Sequence, residues 1–82
     1  MIEEIDDQID VVAVFSSGKV SPLLFSWRNR RYSNLKTSSM WMDSEGDAKR
    51  VHFSVITDSA NLYELCFHTR SFQWTLVRIY HE

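Results

Sequence analysis

Cysteine, proline and glycine are scarce in this 82-residue chain, with one, one and two copies. Each scarcity excludes something. A lone Cys66 rules out an internal disulfide framework and a Cys-rich zinc site, which makes a reducing cytoplasm the expected setting. So little Gly and Pro, beside 44% hydrophobic residues, is the composition of a globular chain and not of a disordered one. No apolar run approaches the roughly 20 residues that cross a bilayer as a helix, and no signal-peptide pattern opens the chain, so no membrane partner is expected. Catalytic signatures are missing as well: there is no Gly-rich phosphate loop, no G-x-S-x-G and no H-E-x-x-H. Cys66 falls in the middle of an alternating, strand-like run, where a free cysteine is usually a small buried hydrophobe. The chain reads as a non-enzyme without a cofactor.

What is abundant is aromatic. Eleven rings, three of them Trp, serve a chain short enough to bury only about 60% of its unfolded surface. Large rings compensate for a small core. Rings beyond that need face a partner, and Trp27, Tyr32, Trp41, Phe72 and Tyr80 are the ones in question. Charge is segregated. Residues 1–10 hold five acids and no base, residues 11–42 five bases and no acid, and residues 43–82 six acids and four bases. A net charge of −2 therefore conceals a basic middle.

The pattern is β almost throughout, in one domain over residues 1–82: an acidic lead-in over 1–8 and a β domain over 9–82. Ile9–Phe15 is β-branched and apolar and ends at Ser16-Ser17-Gly18. Pro22 can start a strand but not sit inside one. Leu23–Trp27 and Arg31–Trp41 meet at Arg28-Asn29-Arg30, where Asn29 suits a tight turn. Asp43–Asp47 reads as a polar loop. Arg50–Thr57 and Leu62–His68 alternate, and Phe72–His81 is apolar on both faces, with Trp74, Leu76 and Tyr80 on one. Only Ile2, Ile5 and Ile9 hint at a helix, and an extended segment fits them as well. The expectation is an all-β antiparallel meander of five to six strands, strongly bent or partly closed into a small barrel.

Register can be argued for one hairpin. Val51, Phe53 and Val55 must share a face with Tyr63, Leu65 and Phe67, so paired numbers must sum to an even value. A three-residue loop, Ser59-Ala60-Asn61, gives Phe53 opposite Phe67 and His52 opposite His68.

The run Pro22-Leu23-Leu24-Phe25-Ser26-Trp27-Arg28-Asn29-Arg30-Arg31-Tyr32 resembles the P-x-x-F-x-W-R-G-R-x-Y core of a small bacterial family of unknown function. Trp41, Tyr63-Glu64-Leu65 and Trp74-Thr75-Leu76-Val77-Arg78 match its later Trp, its Tyr-x-Leu strand and its closing W-x-L-x-R strand. Asn29 and Phe72 stand where that pattern has Gly, and His68 where it has Asp. The resemblance implies a bacterial protein, in some bacteria associated with translesion polymerase accessory proteins, and it supplies no established activity, catalytic residue or cofactor to carry over.

Three constellations remain. Trp27, Arg28, Arg30, Arg31 and Tyr32 gather guanidinium groups and rings at one turn, suited to phosphate, carboxylate or bases. The acids Glu3, Glu4, Asp6 and Asp7 could dock on those arginines. His52 and His68, with Glu64 and Cys66 on the same face, are the nearest approach to a metal pair, but no ligand motif completes them, and no metal is assigned. The expected function is a non-catalytic protein-interaction or homo-oligomerisation domain, a homodimer. The alternative is a module that binds an acidic protein or a single-stranded nucleic acid through the Trp27–Tyr32 hairpin, with Trp41 as a further contact.

Overall fold

The computed structural model describes every residue except Ser59. Seven strands form one antiparallel sheet: β1 (Ile2–Ser16), β2 (Lys19–Trp27), β3 (Arg30–Tyr32), β4 (Lys36–Glu45), β5 (Ala48–Ile56), β6 (Leu62–His68) and β7 (Gln73–Tyr80). Their order is β3-β2-β1-β7-β6-β5-β4. Among the described residues no helix forms, and none is therefore long and apolar enough to cross a membrane. β3 and β4 end the sheet, which is not closed. One backbone bond crosses that gap among the described residues, from the Leu35 N–H to the Leu23 carbonyl at 3.2 Å.

The all-β expectation holds, with one strand more. The stretch read as one strand over 31–41 breaks into β3 and β4 around Asn34, which takes a φ of 55°. Residues 2–8 of the acidic lead-in are the first part of β1, which carries on to Ser16. Asp43–Glu45 are not loop but the end of β4, and only Gly46 and Asp47 turn the chain. Two hairpins turn on paired positive φ angles, Ser17 and Gly18 (53°, 75°) and Arg28 and Asn29 (51°, 62°). That is the backbone a two-residue hairpin requires. Both positions where the chain replaces a glycine of the pattern it resembles hold positive φ, 62° at Asn29 and 57° at Phe72.

Three irregularities were invisible in the alternation. Pro22 lies inside β2, buried. The β1–β2 register shifts beside it, with Leu23 the extra residue, and β3 pairs only Phe25–Trp27. A missing N–H is tolerated at such a bulge on a half-open strand. Ile5 and Asp6 together oppose Val77, with Asp6 at a φ of 60°. Val77 is in turn the extra residue against β6, between Leu65↔Leu76 and Glu64↔Arg78. That bulge turns the end of β7 over. Trp74, Leu76 and Ile79 face the core, while Tyr80 faces out, contrary to the strict alternation.

The register of β5 on β6 has the expected parity but is displaced by two residues. Phe53 opposes Leu65, His52 opposes Cys66, and the last pair is Ile56 with Leu62, so residues 57–61 make the connection. The expected three-residue loop includes Ser59, which lies outside the described residues. One face of the sheet holds the core: Ile9, Phe25, Phe53, Val55, Tyr63, Leu65, Phe67, Trp74, Leu76 and Ile79. Phe25 of β2 meets Tyr63 of β6 at 5.6 Å and Tyr32 of β3 meets the same ring at 5.3 Å, although neither strand neighbours β6. The sheet curls until its first strands lie over its last, which is how a single sheet buries a face with no helix to cover it.

Candidate functional site

The basic-aromatic hairpin is held from within. Phe25 and Tyr32 are paired across β2 and β3 and stack at 4.7 Å. The Trp27 indole N–H donates to Asp7 Oδ2 at 2.9 Å. The Arg28 guanidinium lies over the Trp27 ring at 4.3 Å and reaches Asp7 at 4.0 Å, and Arg30 lies over Tyr32 at 5.5 Å. Trp27 and Tyr32 thus pack against the core as half-buried rings. Arg30 and Arg31 are exposed and line a cleft of about 460 Å³ with Tyr32, Ser33, Asp58 and Tyr63. Of the N-terminal acids, Asp7 docks on the hairpin. Glu4 instead accepts from Arg78 at 3.0 Å, and Glu3 lies 2.7 Å from His81 Nε2.

The face opposite the core carries the denser chemistry. Strand pairing lays its residues out in rows: Ser39, Ser54, Glu64, Arg78 and Glu4; Trp41, His52, Cys66 and Thr75; Asp43, Arg50 and His68. Arg50 donates to both Asp43 oxygens, at 2.8 and 2.7 Å. His52 Nε2 lies 3.1 Å from Asp43 Oδ2, and Trp41 stacks flat on the imidazole at 5.2 Å and 3°. The other ring nitrogen, Nδ1, is buried, makes no hydrogen bond and sits 3.6 Å from Glu64 Oε2. Glu64, only 3% exposed, accepts from Arg78 at 2.6 Å and from the Tyr80 hydroxyl at 3.3 Å. A pocket of about 320 Å³ opens among these side chains.

Each charge is steadied by its neighbours. The Arg50 bond, then His52, holds the Asp43 carboxyl below the usual carboxylate range against the opposing effect of desolvation. Glu4 and then Glu64 push Arg78 further above its ordinary value. Burial pushes the Cys66 thiol up to about 11. Its sulfur lies 3.9 Å from His52 Nε2, the nitrogen that also faces Asp43. The His52–His68 pairing expected from the sequence is absent, because the two-residue displacement puts His68 opposite Arg50 and against Thr75 Oγ1 at 2.9 Å. Among the described residues no group of three ligands could hold a metal ion.

The Cys66 shift has a consequence for stability. A thiol held protonated by the fold contributes fully below its unfolded value near 9, and that contribution is lost as pH rises towards 11. Urea unfolding at pH 8 and pH 11 is expected to differ by about 2 kcal/mol from this group. Cys66→Ala should remove that part of the alkaline loss. An unchanged pH dependence in the variant would refute the assignment.

The rings split in a way that singles out β4. Trp27, Tyr32 and Tyr80 are half-buried, whereas Trp41 is 39% and Phe72 78% exposed. Trp41 was legible from the sequence, but its neighbours Met40 and Met42, 55% and 61% exposed, were not singled out, although an apolar triplet without alternation marks them. Asp43 and Arg50 were missed because only a turn as short as Gly46-Asp47 sets them opposite each other. Compared with protein-family models, curated proteins and solved structures, the chain matches none.

Proposed function

We propose that the chain is a non-catalytic interaction module that self-associates, with β4 as its contact strand. One observation carries the reading. All ten residues of β4 are exposed, and it is the last strand of the sheet, with no strand on its outer side among the described residues. A row of unpaired N–H and C=O groups on a long strand is a template for another strand. Sheets usually blunt such an edge with shortness, proline, charge or a bulge. The opposite edge, β3, is only three residues long. β4 is ten residues long and has no proline; its bulge and its charges, Lys36, Asp43 and Glu45, lie towards its ends and leave Met40-Trp41-Met42 between them.

The anionic-partner reading of the Trp27–Tyr32 hairpin has less support. Its rings are engaged within the chain, and Asp58 shares the cleft with Arg30 and Arg31. Membership of the resembled bacterial family belongs to the same proposal.

Sedimentation velocity across micromolar concentrations tests the reading. The expected result is a dimer, and Met42→Lys, a charge in the middle of the open edge, should return a folded monomer. A wild-type chain that stays monomeric throughout this range would sink it.

A further inference from the structure

We infer that the contact is an antiparallel pairing of β4 with β4 of a second copy, about a two-fold axis through Trp41. This rests on the self-association reading and fixes its geometry. The faces of β4 follow from its ladder with β5. Met40 and Met42 oppose Phe53 and Val51 and share the core side, while Ser39, Trp41 and Asp43 oppose Ser54, His52 and Arg50 and share the polar side. The register shifts between Thr37 and Ser39, so Lys36, opposite Ile56, also falls on the polar side and Thr37, opposite Val55, on the core side.

A two-fold perpendicular to an antiparallel sheet sets one residue against its own copy, and every pair must share a face. With Trp41 on the axis, Met40 meets Met42 of the partner subunit and Ser39 meets the partner's Asp43. Carried through the bulge, the register sets Thr37 against the partner's Ser44 and Lys36 against the partner's Glu45. Each pair shares a face, and the strand is used from end to end. An axis on Met40 would leave Ser44 and Glu45 unpaired.

Charge selects the same arrangement. The only base of β4, Lys36, lies at one end, and its acids, Asp43 and Glu45, lie at the other. Lys36 makes no ion pair among the described residues. Antiparallel pairing brings Lys36 to the acids twice, once at each end. Parallel pairing would set Asp43 and Glu45 beside their own copies, which is destabilising.

Charge reversal tests the geometry. Lys36→Glu alone, or Glu45→Lys alone, places like charges at both ends of the homodimer and should weaken it about tenfold. Mixing the two variants forms a heterodimer in which both ends are again complementary, so the mixture should associate about tenfold more tightly than either variant alone. Sedimentation of each variant and of the equimolar mixture reads this directly; both substitutions lie on exposed side chains, and because Glu45→Lys also gives up the 3.7 Å ion pair with Arg50, the mixture is the deciding arm. A dimer indifferent to the single changes, or a mixture no tighter than its components, overturns the pairing and leaves self-association standing. A monomeric wild type overturns both.

Discussion

Phe25→Ala is expected to remove about 3–5 kcal/mol of stability. Folded domains have only about 5–15 kcal/mol in all, so the variant should be marginal. The reason lies in where the ring sits. Phe25 is fully buried, stacks on Tyr32 and meets Tyr63 edge-on. It is one of the rings by which β2 and β3 lie over β6, strands that share no ladder with it. Truncation opens a cavity and also loosens the curl of the sheet, and the surroundings cannot close the gap without moving a strand. Urea unfolding followed by circular dichroism should show a lower midpoint at an unchanged slope. Phe72→Ala, at a residue 78% exposed with a positive φ, is the comparison of equal size and should cost far less. A loss below about 1 kcal/mol for Phe25→Ala would show that this ring does not hold the two parts together.

The second large effect is electrostatic. Arg78→Met is expected to cost about 3 kcal/mol or more, because it leaves the carboxylate of Glu64 buried without its cation. The pair itself is not the source of that magnitude. The Arg78 side chain is 31% exposed, so solvent screens much of its attraction. The cost arises from Glu64, whose side chain is 4% exposed and keeps only the Tyr80 hydroxyl and the near approach of His52. Removing both charges together, in Glu64→Leu/Arg78→Met, should therefore recover most of the loss. Thermal unfolding of the wild type and the two variants decides it. If the double variant is as unstable as the single one, the burial argument fails.

Much of the fold could be read from the chain, for identifiable reasons. Val51/Phe53/Val55 and Tyr63/Leu65/Phe67 alternate cleanly, and their shared face fixed the parity of the β5–β6 register. Parity does not fix the register itself, because displacing one strand by two residues leaves every side chain on its face. That displacement separated His52 from His68 and put Cys66 beside His52 instead. The bulges at Asp6 and Val77 have no compositional mark, so the outward turn of Tyr80 could not be foreseen. The Arg28-Asn29 turn was legible because few residues accept its backbone. At the candidate site Trp41 was legible as a ring without a place in the core. The clamp beneath it depends on residues from three strands that meet only after folding.

The pairing of β1 with β7 has a consequence in time. Read from its other end, the sheet order is β4-β5-β6-β7-β1-β2-β3, a plain meander whose sequence has been cut between β7 and β1 and rejoined between β3 and β4. The permutation makes the central ladder the most distant in sequence, and such ladders close late. As the chain leaves the ribosome, β1 must wait with half its hydrogen bonds unmet until β7 emerges. Its leading half bears Glu3, Glu4, Asp6 and Asp7, a density of like charge that discourages any other strand from adding to that edge meanwhile. The acidity that looks like a tail in the sequence thus doubles as a guard for an unfinished sheet.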